Sequence, residues 1–143
     1  MVSAKDFPAC GRIVETQGGF VVFHPAGTSY QLQLVSSDKS IEAKKGVLVE
    51  GLIRCEVRKL WTVPSGGNFI SPIFGPPRII QGRVRQASEE ELLVHAGTNF
   101  VLALPRDPEA FDLANGAVGA GTLVNVTILP GATFELIGEP VAK

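Results

Sequence analysis

Apolar and polar residues alternate along much of the chain with a period of two, in short runs. Tyr30, Leu32 and Leu34 point one way and Gln31 and Gln33 the other, and Phe100, Leu102 and Leu104 repeat the first set. A period of two marks an extended strand with one buried face. The same rule predicts strands over residues 11–16, over the run that ends at His24, and over 30–34, 47–57 and 68–74. It predicts them again over 82–87, over the run that ends at His95, and over 100–104, 117–128 and 133–137. Turn residues separate the runs: Gln17, Gly18 and Gly19 early on, and Ser88 with Glu89, Glu90 and Glu91 later. Two polar stretches, 37–45 and 107–115, have helical character. Asp107 followed by Pro108 reads as a helix cap with proline at the first helical position, and Gly46 and Gly116 read as stops.

These elements recur in one order. Gly11, Arg12 and Ile13 return as Gly82, Arg83 and Val84. The run 21–24 returns as 92–95, each ending in histidine, and 26–34 returns as 96–104, with Pro25 as one extra residue. Gly46 aligns with Gly116 and Gly51 with Gly121, and Gly51 and Gly121 each lie inside an expected strand, where glycine permits a bulge or a sharp coil. Four blocks in the same order imply an internal duplication. The joint between the copies is Gly75, Pro76, Pro77 and Arg78, and consecutive prolines make a stiff, extended connector.

Three meandering strands, a short helix and two further strands, with a glycine inside the fourth, form a unit that resembles the OB-fold. The resemblance implies an all-β protein of two tandem five-stranded OB-like barrels, each with a short helix or turn between its third and fourth strands. The first spans 1–77 with its connector and the second 78–143. The rival arrangement is one larger barrel that interleaves strands of both copies. Each unit is about the size at which a single core is marginal, so packing between units or oligomerisation should contribute.

Composition narrows the class. Of 143 residues, 45% are hydrophobic and 19% charged, which suits a buried core and excludes wholesale disorder. Early charges with no apolar stretch behind them argue against a signal peptide, and no apolar run is long enough to span a bilayer, so a cytoplasmic location is expected, without membrane contact. Cys10 and Cys55 form no CxxC pair and no zinc pattern; a buried thiol is the simple reading of each, and a disulfide between them stays open.

Candidate chemistry is sparse. His24 and His95 are the sole histidines and fall at matching positions, but neither has a Cys, Asp or Glu at ligand spacing, so the sequence predicts no metal, no cofactor and no catalytic group. Arg12 and Arg83 match as well, and their recurrence favours a structural role over anion binding. Ser65, Gly66 and Gly67 lack the Lys-Ser/Thr ending of a phosphate loop and read as a hairpin tip. Charge separates the halves: residues 1–78 carry net +3 and residues 79–143 net −4. In OB-folds the loop between strands four and five often binds ligand. In the first copy that region holds Arg58, Lys59, the single Trp61 and Asn68, whereas the second copy has only Leu129, Pro130, Gly131 and Ala132. A ligand site is therefore expected at Arg58, Lys59, Trp61 and Asn68 with Gln31 and Gln33 nearby, and the second copy, with Val101 and Ala103 on its outer strand face, is expected to pack. The favoured function is a non-enzymatic binding or assembly module contacting a protein partner or itself. Nucleic-acid binding through the first copy is the first alternative, and an enzyme using the His pair the second.

Overall fold

Most of the alternating runs fold as extended strand. In a computed structural model, which describes residues 2–36 and 38–139, the strands are β1 (Ala9–Gln17), β2 (Phe20–Pro25), β3 (Gln31–Val35), β4 (Leu48–Thr62), β5 (Phe69–Ser71), β6 (Phe74–Gly75), β7 (Ile79–Ala87), β8 (Glu91–Ala96), β9 (Thr98–Ala103), β10 (Phe111–Asp112), β11 (Leu123–Ile128) and β12 (Thr133–Gly138). The two polar stretches form short 3-10 turns, Lys39–Lys44 and Pro108–Ala110. Asp107 caps the second as expected, its carboxylate accepting from the Glu109 amide, and Asp38 caps the first through Ser40. Ser37, the first residue of the expected stretch 37–45, lies outside the described residues.

The protein is all-β, and its strands form one mixed sheet in place of two separate ones. The order is β1-β2-β3-β12-β4-β11-β7-β8-β9, with further pairings of β4 to β1 and to β9. Pairing thus runs in two circuits that share β4: β1, β2, β3, β12 and β4 in one, and β4, β11, β7, β8 and β9 in the other. Strands from either side of the expected boundary at 77/78 hydrogen-bond to each other, and one apolar cluster takes Ile13, Phe23, Leu32 and Ile53 from the first segment with Val94, Phe100, Val126 and Phe134 from the second. The core explains the glycine inside β4. A Cβ on Gly51 would lie 2.3 Å from the Phe134 ring, which stacks at 4.9 Å between centroids on Phe23. Gly51 therefore serves close approach, and it lies opposite the register shift between Leu136 and Gly138 of β12.

The recurring register is sharper in space than in sequence, and differs from it. Arg12 pairs with His24 and Arg83 with His95; each first hairpin then skips one residue, Val14 and Arg85, at a β-bulge. Gly11 pairs with Val49 and Gly82 with Val124. That register aligns Gly46 with Gly121, not with Gly116 as the sequence suggested. It also sets the fifteen residues of β4 against β11 and β12 together. β12 is therefore the counterpart of the second half of β4 and not of the 68–74 region. The interruption falls at Pro130, which cannot donate to a ladder, and Gly131, at φ +98°. The expected single strand over 68–74 is divided into β5 and β6 by Pro72 and Ile73, and residues 117–122 stay outside β11.

Candidate binding surface

The six residues expected at a ligand site fall in several places. Arg58, Lys59 and Trp61 do not lie in a loop: β4 stays extended to Thr62 because β11 pairs along it, from Val57 opposite Ile128 to Thr62 opposite Val124. Arg58 is the extra residue of a bulge there, so it and Lys59 both face solvent, while Trp61 is half-buried opposite Asn125 on one side and Asp112 on the other. Gln31 and Gln33 are half-buried on β3, Gln31 opposite Phe74 and Gln33 opposite Val22. Asn68 is exposed in the loop before β5. Arg58 lines a cleft of about 410 Å³ with Arg78 and the connector prolines, and Asn68 lines a different one.

The matched glycine, arginine and histidine form a local scaffold. β1 crosses β2 so closely at Gly11 that a Cβ would sit 2.2 Å from the His24 carbonyl oxygen; at Gly82 the distance to the His95 oxygen is 2.1 Å. The next side chain ties down the following glycine turn: Arg12 Nη1 donates to the Gly46 carbonyl and Arg83 Nη1 to the Gly121 carbonyl, each at 3.0 Å. The histidines hold their own turns. His24 Nε2 lies 2.5 Å from the Thr28 carbonyl oxygen, and His95 Nδ1 lies 2.9 Å from Asn99 Oδ1. Asn99 in turn donates to the Pro8 carbonyl.

Val101 is buried, and what covers it is the chain's own N-terminus. Val2 and Leu93 complete a small second cluster around it, with Ala4 and Phe7 against them. The Ser3 amide donates to Gln86 Oε1 at 2.6 Å, so residues 2–8 form a strap across the outer face of β8 and β9. Ala103, next on that face, is exposed.

The largest apolar exposure lies elsewhere. Ile73 is 54% exposed and Phe74 65%, on the turn between β5 and β6, with Phe69 also exposed at its other end. The Gln31 amide fixes this turn by donating to the Ile73 carbonyl at 2.8 Å. Sequence pattern missed it because 68–74 reads as one strand with an inner face; Pro72, which cannot donate to a ladder, was the signal that it is not.

Compared with known protein families, curated proteins and solved structures, the chain matches none. The site must therefore be argued from its own chemistry. Among the described residues there is no group of three or more metal-ligating side chains, and no helix long and apolar enough to cross a membrane.

Both thiols are free. Burial pushes the Cys55 thiol up to about 12, and burial followed by the nearby Glu50 charge raises that of Cys10. The fold therefore holds Cys55 protonated where the unfolded chain would ionise. Its contribution is complete below pH 9 and is lost as pH rises from 9 toward 12, at about 1.4 kcal/mol per pH unit. Urea unfolding at pH 8, 9 and 10 should show a steeper loss in the native protein than in Cys55→Ala; equal slopes would refute the assignment.

Proposed function

We propose that the protein is a non-enzymatic binding module whose partner is another protein, docked on the turn between β5 and β6. The observation that carries this is the pair Ile73 and Phe74, adjacent, more than half exposed and held in place from below by Gln31. Large apolar side chains standing in water on an ordered turn cost solvation free energy that a partner would recover, and aromatic groups dominate such contacts. β6 adds to this: among the described residues its one strand partner is β3, and a strand paired on one side leaves an edge that a partner's backbone can join. The reading retains the duplication expected from sequence, supported by the recurring register, and the cytoplasmic location expected with it; each pairing circuit takes a strand from the other segment, so the circuits lend no support to two tandem OB-like units. Nucleic-acid binding through Arg58 and Lys59 is the second reading, favoured by their joint exposure at the β4 bulge with Arg78 lining the cleft beside Arg58. It requires binding that falls steeply with salt and is lost in Arg58→Ala.

The docking surface is tested by a photo-crosslinking phenylalanine analogue at position 74, with Lys39 replaced likewise as an exposed control. Protein adducts, to a second copy or to another chain, are expected from position 74 and not from 39. Ile73→Glu beside the analogue should abolish them, and Ile73→Glu with Phe74→Glu in the native chain should change stability by less than about 0.5 kcal/mol, as exposed substitutions do. No adduct from position 74, together with a monomer in sedimentation, would reject the surface.

A further inference from the structure

We propose that the cleft between loop 63–68 and residues 119–121 is an anion site that takes the phosphoryl group of a small phosphate monoester. The argument is a comparison of two positions on one scaffold. In each segment an arginine on the first strand donates to a glycine carbonyl at 3.0 Å, Arg12 to Gly46 and Arg83 to Gly121, with a bulged residue two positions on. In the first segment the surroundings neutralise themselves. Lys45, just before Gly46, pairs with Glu15 at 3.0 Å, that contact holds the Glu15 carboxyl below its ordinary range, and the bulged residue is apolar Val14. In the second segment all three are changed. Ala120 stands before Gly121 where Lys45 stands before Gly46, Gln86 replaces Glu15, and the bulged residue is Arg85.

The result is an open cleft of about 450 Å³ lined by Asn68, Arg83, Arg85, His95, Ala120 and Gly121, with no carboxylate in its wall among the described residues. Among the described residues neither arginine has an ion pair. A β-bulge turns a side chain out of the regular alternation, so Arg85 is presented by the backbone itself. His95 engages Asn99 through Nδ1, which leaves Nε2 for a ligand, and the Asn68 amide adds a neutral donor. Guanidinium forks match the oxygens of phosphate or carboxylate, and two of them in one acid-free wall suit a dianion better than a single carboxylate. The surrounding charge selects a small ligand over a long polyanion. Residues 79–143 carry net −4, and Glu89, Glu90 and Glu91 follow shortly after Arg85 at the tip of the same hairpin. A nucleic-acid strand running out of the cleft would meet that repulsion; a monoester would not.

Titration calorimetry at fixed ionic strength with inorganic phosphate, phenyl phosphate, acetate and a twelve-nucleotide strand tests the site. Phosphate and phenyl phosphate should bind and acetate should not. Arg85→Val, which copies the first segment, should weaken phosphate at least about tenfold, the loss expected for one charge-assisted contact. Ala120→Glu, which puts a carboxylate into the wall beside both arginines, should do the same, and Lys45→Ala should change nothing. Absence of phosphate binding up to about 10 mM, a Kd too weak for a specific site, overturns the proposal. So does binding that survives both cleft variants. Tighter, steeply salt-dependent binding of the oligonucleotide would replace the monoester with nucleic acid. None of these outcomes depends on the Ile73 and Phe74 surface.

Discussion

Gly82→Ala should destabilise the protein by about 3 kcal/mol or more, the upper range for overpacking a core position. Its new Cβ would lie 2.1 Å from the His95 oxygen, 2.8 Å from the His95 carbonyl carbon and 2.9 Å from the Ala96 Cβ. The first two of these are backbone atoms and cannot rotate away. Relief requires β7 to move off β8, and β11 to follow because Gly82 also pairs with Val124. Gly11→Ala should behave alike, with contacts of 2.2 Å to the His24 oxygen and 2.8 Å to the Phe23 ring. Gly18→Ala, with nothing within 4 Å of the added atom, is the control and should stay within about 0.5 kcal/mol. Thermal melts would show the first two falling by about 10 °C and the third unmoved. A native melting temperature for Gly82→Ala would mean that the strands do not cross so closely, and the shared scaffold would lose its basis.

Val101→Glu is expected to cost about 2–4 kcal/mol, and the loss should depend on the N-terminal strap. At 3% exposure the new carboxylate has two outcomes. It stays under Val2 and Phe7 as an unpaired buried charge, which is very unfavourable, or it expels the strap and enters water. The chain takes the second, and the penalty is then the apolar area that Val2, Phe7 and Leu93 lose, about 2–4 kcal/mol at ordinary transfer values. Deleting residues 1–7 removes that area beforehand, so Val101→Glu in the shortened chain should cost under about 1 kcal/mol more. The two changes would then be strongly non-additive in a double-mutant cycle. Full additivity in urea unfolding would show that something other than the strap covers Val101.

That strap marks a limit of what pattern can show. Val101 and Ala103 read as an outward apolar strand face needing a cover, and for Val101 a cover exists. Its source, residues 2–8, has no periodicity to advertise it, and the two hydrogen bonds that fix it join residues more than eighty positions apart. The expected ligand site failed to gather for a related reason. Arg58, Lys59 and Trp61 read as a loop because the OB-like order puts one after a fourth strand expected over 47–57, where the alternation breaks. A bulge breaks it equally well and leaves the strand intact, and only the partner β11 distinguishes the two. Asn68 did reach a cationic cleft, but the cations are Arg83 and Arg85 of the other segment.

The sequence by itself determined the local elements: the β class, the position of most strands and turns, the Asp107 cap, and the recurrence of glycine, arginine and histidine. These rest on period-two burial, on proline and on glycine, whose effects act within a few residues. Tertiary structure alone decided the pairing. A strand edge offers the same amide and carbonyl groups to any neighbour, so nothing local says that β12 joins β3 and β4, or that β9 runs parallel to β4. Those choices follow from filling one shared core, in which Phe134 of the last strand packs on Phe23 of the second through the space left by Gly51. The alignment of Gly46 with Gly121 likewise became visible only through the two arginines that bond them, because the loops before them differ in length and pairing geometry is insensitive to loop length.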